Sequence, residues 1–435
     1  AYFVPESKGP NWCRLNAELF KVYLASPLGG DFRSYADKVA GERMSSRDAE
    51  YLRVSIECRV EYAGPLAGVS AGIKYSEGKR ILVTEDPRRL DPVPGQYPTI
   101  DRFLRCMFQH TPEDELDLPC DQLPYFEGWL AHTLRAYYRG KPVYGACLAL
   151  AGDAGTGKTL GLKAILKEML GGSEAKPFAF ISGRDNFNGE MVKSVLWSID
   201  DEQSDWSIAK RQEIGAHIKQ ITANDGLRFR DMHKTALVLH PLSRLVILLN
   251  MEPDNLQVLP PMSADIEDKL MLLKAYSPPD TPLNQTRSDG QRMIQTNREF
   301  EEWQDKLLAE VPQYIHHLLN ADHPTWRGRY GVEVYHHPEI NSAQFEVSLE
   351  ANVLRCLDVF YFETPALLDE NSVMVAREDG PFEKSSREMW EELMAEGDGL
   401  PQFLQVKLGK LRTDVVFARK LAQLERVEPG RIRLH

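Results

Sequence analysis

One stretch limits the folds open to this chain more than any other. Ala146-Cys-Leu-Ala-Leu-Ala-Gly152 is an apolar run, and Asp153-Ala154-Gly155-Thr156-Gly157-Lys158-Thr159-Leu160 follows it directly. From about Lys158 to Leu170 the pattern is that of an amphipathic helix. The turn satisfies G-x-x-x-x-G-K-[S/T] at every fixed position. Each residue type has a task there: glycines let backbone N–H groups close around phosphate oxygens, Lys158 reaches the β/γ-phosphates, and Thr159 offers a hydroxyl to Mg²⁺. The positive end of the following helix faces the same anion. A glycine-rich loop without a ligand would leave the flanking strand and helix unexplained. The stretch implies a nucleoside-triphosphate site spanning Gly152–Leu160, with Mg²⁺ beside the phosphates.

Downstream segments fit around that loop. Phe178-Ala-Phe-Ile-Ser182 reads as a second strand, and Val195-Leu-Trp-Ser-Ile199 as a third that ends in Asp200-Asp201-Glu202. Paired carboxylates at a strand end suit an NTPase: one holds Mg²⁺ and the next orients or deprotonates the attacking water. A helix carrying Lys219 then runs into Asn224-Asp225-Gly226, a hairpin signal. Beyond it Arg228, Phe229, Arg230, His233 and Lys234 mix cations with an aromatic ring, a pattern suited to phosphate contact and base stacking. The bland alternative is a solvated hairpin with one core-facing Phe. Arg244–Asn250 is the most apolar strand of the chain, and its terminal amide, Asn250, is placed to hold the nucleophilic water.

The flanks are less informative. Val54–Tyr62 alternates as a half-buried strand and Arg80–Thr84 reads as its partner. Pro87, Pro92, Pro94, Gly95 and Pro98 suggest a linker, and Ile100–Tyr138 has helical spacing. His316-His317 and His336-His337 lack further ligands at metal-binding spacing and read as surface or packing histidines. The stretch Phe403–His435 has the outline helix, helix, hairpin, with Lys407, Lys410, Arg412, Arg419, Lys420, Arg431 and Arg433 making it locally basic.

Composition excludes some classes. With 435 residues and 43% hydrophobic content, the chain is long enough for several globular domains. No apolar run approaches the ~18 residues that span a bilayer. Six scattered cysteines with no C-x-x-C pair argue against a zinc site or a disulfide framework and fit a reducing, cytoplasmic setting. The net charge of −12 disfavours a nucleic-acid coat protein but not a ring with a basic inner channel. The chain opens on Ala1 rather than Met, as a trimmed piece of a longer protein would.

Gly152–Thr159, Ile199-Asp200-Asp201, the Lys219–Lys234 segment and the Asn250 strand together resemble the A, B, B′ and C motifs of superfamily 3 helicases. The resemblance is to the primase-helicase ATPases of phages, plasmids and large DNA viruses, and it covers roughly residues 50–435. Its specificity is highest over 146–275. It implies an α/β fold: an AAA+-like P-loop core with a parallel sheet at 141–280 and a helical extension of that core at 281–345. The residue patterns themselves read as a mixed α+β accessory region at 1–95 and a helical collar-like segment at 96–140 before the core, and a winged-helix-like domain at 346–435 after it. The resemblance also implies a hexameric ring that hydrolyses ATP between subunits and moves on single-stranded or forked DNA. A primase domain or partner would lie upstream.

Carried over by position, Lys158 and Thr159 bind phosphate and Mg²⁺, Asp200 and Asp201 (with Glu202) form the metal and water-activating group, and Asn250 is the sensor. Lys219, Arg228, Arg230, His233 and Lys234 fall in the motif whose loop meets DNA. One position departs from the family: Asp268-Lys269 stands where an arginine finger is usual. A lysine neutralises a γ-phosphate but makes no bidentate contact. Either Lys269 serves with less effect, or Arg244 or another arginine replaces it, or turnover is weak. Two other readings compete: an ATP-dependent scaffold or loader with little unwinding, and a metabolic P-loop kinase, which leaves the Asn250 strand and the basic segment unexplained.

Overall fold

The computed structural model describes residues 1–36, 43–110, 120–184, 188–200, 208–223, 226–229, 237–256, 258–260, 262, 265–276, 297–322, 330–346, 349–363, 365–368, 374–376, 384–396 and 413–427. It is a mixed α/β structure that divides into two compact units. The larger takes Ala1–Met251 and Met262–His336, and the smaller Glu252–Pro261 and His337–His435.

The larger unit is built on a five-stranded parallel sheet. Its strands are β1 (Cys147–Gly152), β2 (Glu174–Ala175), β3 (Leu196–Asp200), β4 (Arg244–Leu249) and β5 (Leu270–Ala275), in the spatial order β5-β1-β4-β3-β2. All six residues of β1 and of β4 are buried, the near-continuous apolar run expected where helices cover both faces. The register sets Asp200 level with Leu248, and Leu248 level with Leu150. The C-terminal ends of β1, β4 and β3 therefore lie side by side.

Helices pack on this sheet through one continuous core. Helix Leu123–Arg139 buries Phe126, Trp129, Leu130, Leu134 and Tyr137, and Trp129 Nε1 donates to Ala146 O (2.7 Å) just before β1. Gly140 closes that helix with φ 65°, the left-handed cap that glycine adopts without strain. Helix Pro98–Phe108 has no side-chain cap of its own. Instead the Glu310 carboxylate accepts from the N–H groups of Thr99 (2.8 Å) and Ile100 (3.0 Å) at its first turn.

Several local expectations need correction. Phe178–Ser182 is not a strand: Phe178–Ile181 is a helical turn with Phe178 and Ile181 buried at i, i+3, and the strand is the preceding Glu174–Ala175. Short apolar runs carry no period that separates the two forms. Val54–Tyr62 is likewise not one strand, because Ser46–Glu57 is a helix, begun by Ser45, which accepts from the Asp48 N–H (3.1 Å). The proline-rich segment before Pro98 is not a free linker. Tyr137 and Tyr138 donate to the carbonyls of Arg88 and Leu90, and Val93 N–H donates to Pro312 O (3.2 Å). Gly226 (φ 83°) does not turn the hairpin but precedes it: the antiparallel strands are Leu227–Phe229 and Leu237–Leu239.

In the smaller unit, Val353, Leu357, Phe360, Tyr361, Met389, Leu393, Phe417 and Leu421 form one apolar cluster contributed by helices Leu349–Asp358, Ser386–Glu396 and Asp414–Val427 and the turn Val359–Glu363. Of the winged-helix outline only Asp414–Val427 is described. The flanking 403–412 and 428–435 lie outside the described residues, and with them Lys407, Lys410, Arg412, Arg431 and Arg433.

One half-buried acid in the larger unit makes a testable mark on stability. Glu127 leaves 19% of its side chain exposed, accepts from Tyr314 OH (3.3 Å) and lies 4.0 Å from His317 Nε2. Burial pushes its carboxyl up to about 7, against a smaller lowering by the Tyr314 hydrogen bond. A carboxyl raised on folding adds stability below its unfolded value, and that contribution is lost as pH rises through about 7. Glu127→Gln is therefore expected to match the wild type near pH 4 and to exceed it by on the order of 3 kcal/mol at pH 8. Urea unfolding at the two pH values checks this, and an equal difference at both would refute it.

Candidate nucleotide site

The site is assembled at the C-terminal edge of the sheet, where open α/β folds bind ligands. The loop leaves β1 at Gly152 and turns twice through left-handed glycines, Gly155 (φ 87°) and Gly157 (φ 85°), a backbone path that side chains with a Cβ resist. Gly152 itself is confined: a Cβ there would lie 2.4 Å from Ala275 O of β5. Thr156 Oγ1 donates to Asp153 O (3.0 Å) and fixes the bend. The helix that follows opens with a wide turn, Lys158–Lys163, in which Leu162 N–H reaches back five residues to Gly157 O (3.1 Å). Such π-type turns recur at functional sites. It continues as Ala164–Met169.

Lys158 is buried, and its ammonium is held over the loop. It donates to Gly152 O (2.6 Å), Asp153 O (2.9 Å) and Thr156 Oγ1 (3.2 Å), and to Asn250 Oδ1 at the end of β4 (3.4 Å). Lys158 and Asn250, 92 residues apart in sequence, thus meet across adjacent strands. Thr159 is half-buried and Leu160 is exposed. The residues present fit a magnesium–nucleotide: Gly155 and Gly157 shape an anion-receptive turn, a cation lies over it, and one oxygen of a nearby acid stays unsatisfied.

That acid is Asp200, whose surroundings the sequence did not foretell. Its Oδ2 accepts from Lys163 Nζ (2.5 Å) and Lys176 Nζ (2.5 Å). Glu174 binds the same two lysines (3.4 and 2.6 Å) and also pairs with Ser198 Oγ. Burial works against the Lys176 charge, but Asp200 and Glu174 outweigh it and raise its pKa. Burial likewise opposes the Glu174 charge, which Lys176, Ser198 and Lys163 nevertheless hold ionised. Asp200 Oδ1 is buried with no hydrogen-bond partner among the described residues, an acceptor available to a cation. Asp201 and Glu202 lie outside the described residues. No pattern signalled Lys163, Glu174 or Lys176; a lysine five places after Lys158 would have been the only hint.

The remaining candidates are dispersed. Lys269 Nζ donates to Asp268 Oδ1 (2.6 Å) and Asp265 O (2.7 Å) and lies 5.4 Å from the centre of the Tyr330 ring. Lys219 Nζ pairs with Asp265. Arg244 cannot serve as a finger toward another subunit: it is 1% exposed, donates to Thr133 Oγ1 (3.0 Å), Ser243 O (2.8 Å) and Val143 O (3.2 Å), and burial pushes its pKa down to about 10. Arg228 is exposed on its strand. Phe229 is not available to stack on a base, being 6% exposed and packed edge-on against Tyr62 (5.3 Å). Arg230, His233 and Lys234 lie outside the described residues. Among the described residues no group of three potential metal ligands occurs, and no helix is long and apolar enough to cross a membrane.

Comparison with known proteins adds three findings. A model described as a family of unknown function (DUF5906) matches residues 150–260, which span the loop, Asp200 and Asn250. No curated protein matches. Among solved structures, the A form apo structure of the NrS-1 C terminal region is similar at 14% identity and a TM-score of 0.48, covering 84% of this chain and 81% of that one. The apo structure of NrS-1 C terminal region (305-718) is similar at 12% identity and a TM-score of 0.47, covering 88% and 82%.

Proposed function

We propose that the larger unit is an ATPase and that the chain is an ATP-dependent DNA helicase or translocase of a replication apparatus of primase-helicase type, working as a hexameric ring on single-stranded or forked DNA. The observation that carries the reading is the meeting of Lys158 and Asn250 at 3.4 Å, beside Asp200, at the ends of three adjacent parallel strands. Magnesium-bound ATP, once in the loop, supplies the phosphoanhydride and a divalent charge. The chain's own residues do the rest. Gly155–Lys158 and the helix start bind phosphate oxygens, Thr159 and Asp200 hold the metal, and Asn250 orients the attacking water from its place beside Lys158. Asp201 or Glu202 takes the proton.

Asp200→Asn separates this from a loop that merely binds anions. It is expected to retain nucleotide binding while kcat falls about 10²–10³-fold. Unchanged kcat would remove Asp200 from the site. The scaffold reading is favoured by one observation: the Lys269 ammonium is engaged by Asp268 and by the Asp265 carbonyl of its own chain. A ring that assembles on ATP without DNA-stimulated turnover would fit that reading instead.

A further inference from the structure

Resting on the DNA-translocase reading, we infer that the single-strand-binding surface extends from the Arg228 hairpin onto a second hairpin, Gly72–Ser76 with Lys79–Val83, whose lysines the sequence did not single out. The two are joined directly. Ser76 Oγ donates to Val238 O (2.7 Å), and Val238 is the cross-strand partner of Arg228. The Tyr62–Phe229 ring contact braces the same junction, since Tyr62 stands opposite Ile81 in the three-stranded sheet that contains the second hairpin.

Strand register decides which side chains meet the Arg228 hairpin. Lys74 pairs with Ile81 and Ser76 with Lys79, so Lys74, Ser76 and Lys79 share one face, the face whose serine bonds to Val238. Ile73, Tyr75 and Arg80 lie on the other. Lys74 and Lys79 are exposed and bracket Ser76. Among the described residues neither they nor Arg228 makes a side-chain ion pair, whereas Arg80 donates to Glu57 O (2.7 Å). The single acid of the hairpin, Glu77, sits at its turn with φ 47°.

Ser76 links the two hairpins, and Lys79 is its cross-strand partner as Val238 is that of Arg228, so the three cations stand on strands in direct contact, where one polynucleotide strand can meet them with different phosphates. In a chain of net charge −12, three cations on two joined hairpins, without an ion-pair partner among the described residues, form a local positive surface suited to a single-stranded polynucleotide. Phosphate contact, not stacking, is the mode: Phe229 is buried and Tyr75, 68% exposed, is on the opposite face.

The test is fluorescence anisotropy of a labelled oligothymidylate with the full chain, across a salt series, in the presence of a non-hydrolysable ATP analogue. The double variant Lys74→Ala/Lys79→Ala is expected to bind about tenfold more weakly and to lower the salt slope by roughly one to one and a half, the value of two lost phosphate contacts. Tyr75→Ala, on the opposite face, is expected to bind as the wild type does. If Arg228→Ala weakens binding while the double variant does not, the extension is refuted and the translocase reading stands. A loss in Tyr75→Ala equal to that of the double variant also refutes it, since the loss would not follow the face. If the wild type binds no oligonucleotide, the translocase reading falls and the extension falls with it. Circular dichroism of each variant shows that a loss is not unfolding.

Discussion

Lys158→Ala is expected to abolish ATP hydrolysis, lowering it by at least about 10³-fold, and to weaken nucleotide binding severely. The reason lies in how the lysine is held. Its ammonium is already buried against the carbonyls of Gly152 and Asp153 and the amide of Asn250, so its desolvation is met in the fold before any phosphate arrives. An alanine leaves those carbonyls without their donor and the phosphate without its counter-charge. Equilibrium binding of a fluorescent ATP analogue and steady-state phosphate release give the two effects separately. Normal hydrolysis by the folded variant would mean that the loop is not the catalytic site.

The second large effect concerns stability rather than chemistry. Arg244→Ala is expected to cost on the order of 3–5 kcal/mol, read as a lower urea midpoint at unchanged slope. The guanidinium opens β4 from inside the core, and its donors satisfy Thr133, Ser243 and Val143. Removing it takes a donor from Thr133, Ser243 and Val143 and leaves a cavity behind. The fit around it is close, because a Cβ on Gly145 would stand 2.4 Å from Arg244 Cζ. A variant of wild-type stability with a selective loss of turnover would contradict this and return Arg244 to the list of catalytic arginines.

These two residues also show where the sequence was informative. Lys158 announces itself because its chemistry is local: the glycines, the lysine and the threonine act within eight positions, and fixed spacing encodes the site. Asn250 and Asp200 could be picked out as polar ends of apolar strands, but their adjacency to Lys158 was implied only by the resemblance. That depends on β4 inserting between β1 and β3, a long-range pairing that no local pattern records. Arg244 misled for the same reason: an arginine beside an apolar run reads as exposed until the loop at Val143 and the helix at Thr133 are seen to enclose it. The Lys163–Glu174–Lys176–Asp200 network was invisible because its members come from three elements and belong to no motif. Phe178–Ile181 failed on period, since four apolar residues fit strand and helix alike.

The most direct test of the central claim is steady-state ATP hydrolysis by the wild-type chain with and without single-stranded DNA, alongside its assembly state with and without ATP. The account predicts magnesium-dependent hydrolysis that rises on adding DNA, in a ring that forms with ATP. ATP-dependent assembly with hydrolysis indifferent to DNA would contradict the translocase and leave the scaffold, and the absence of any ATP binding would contradict both.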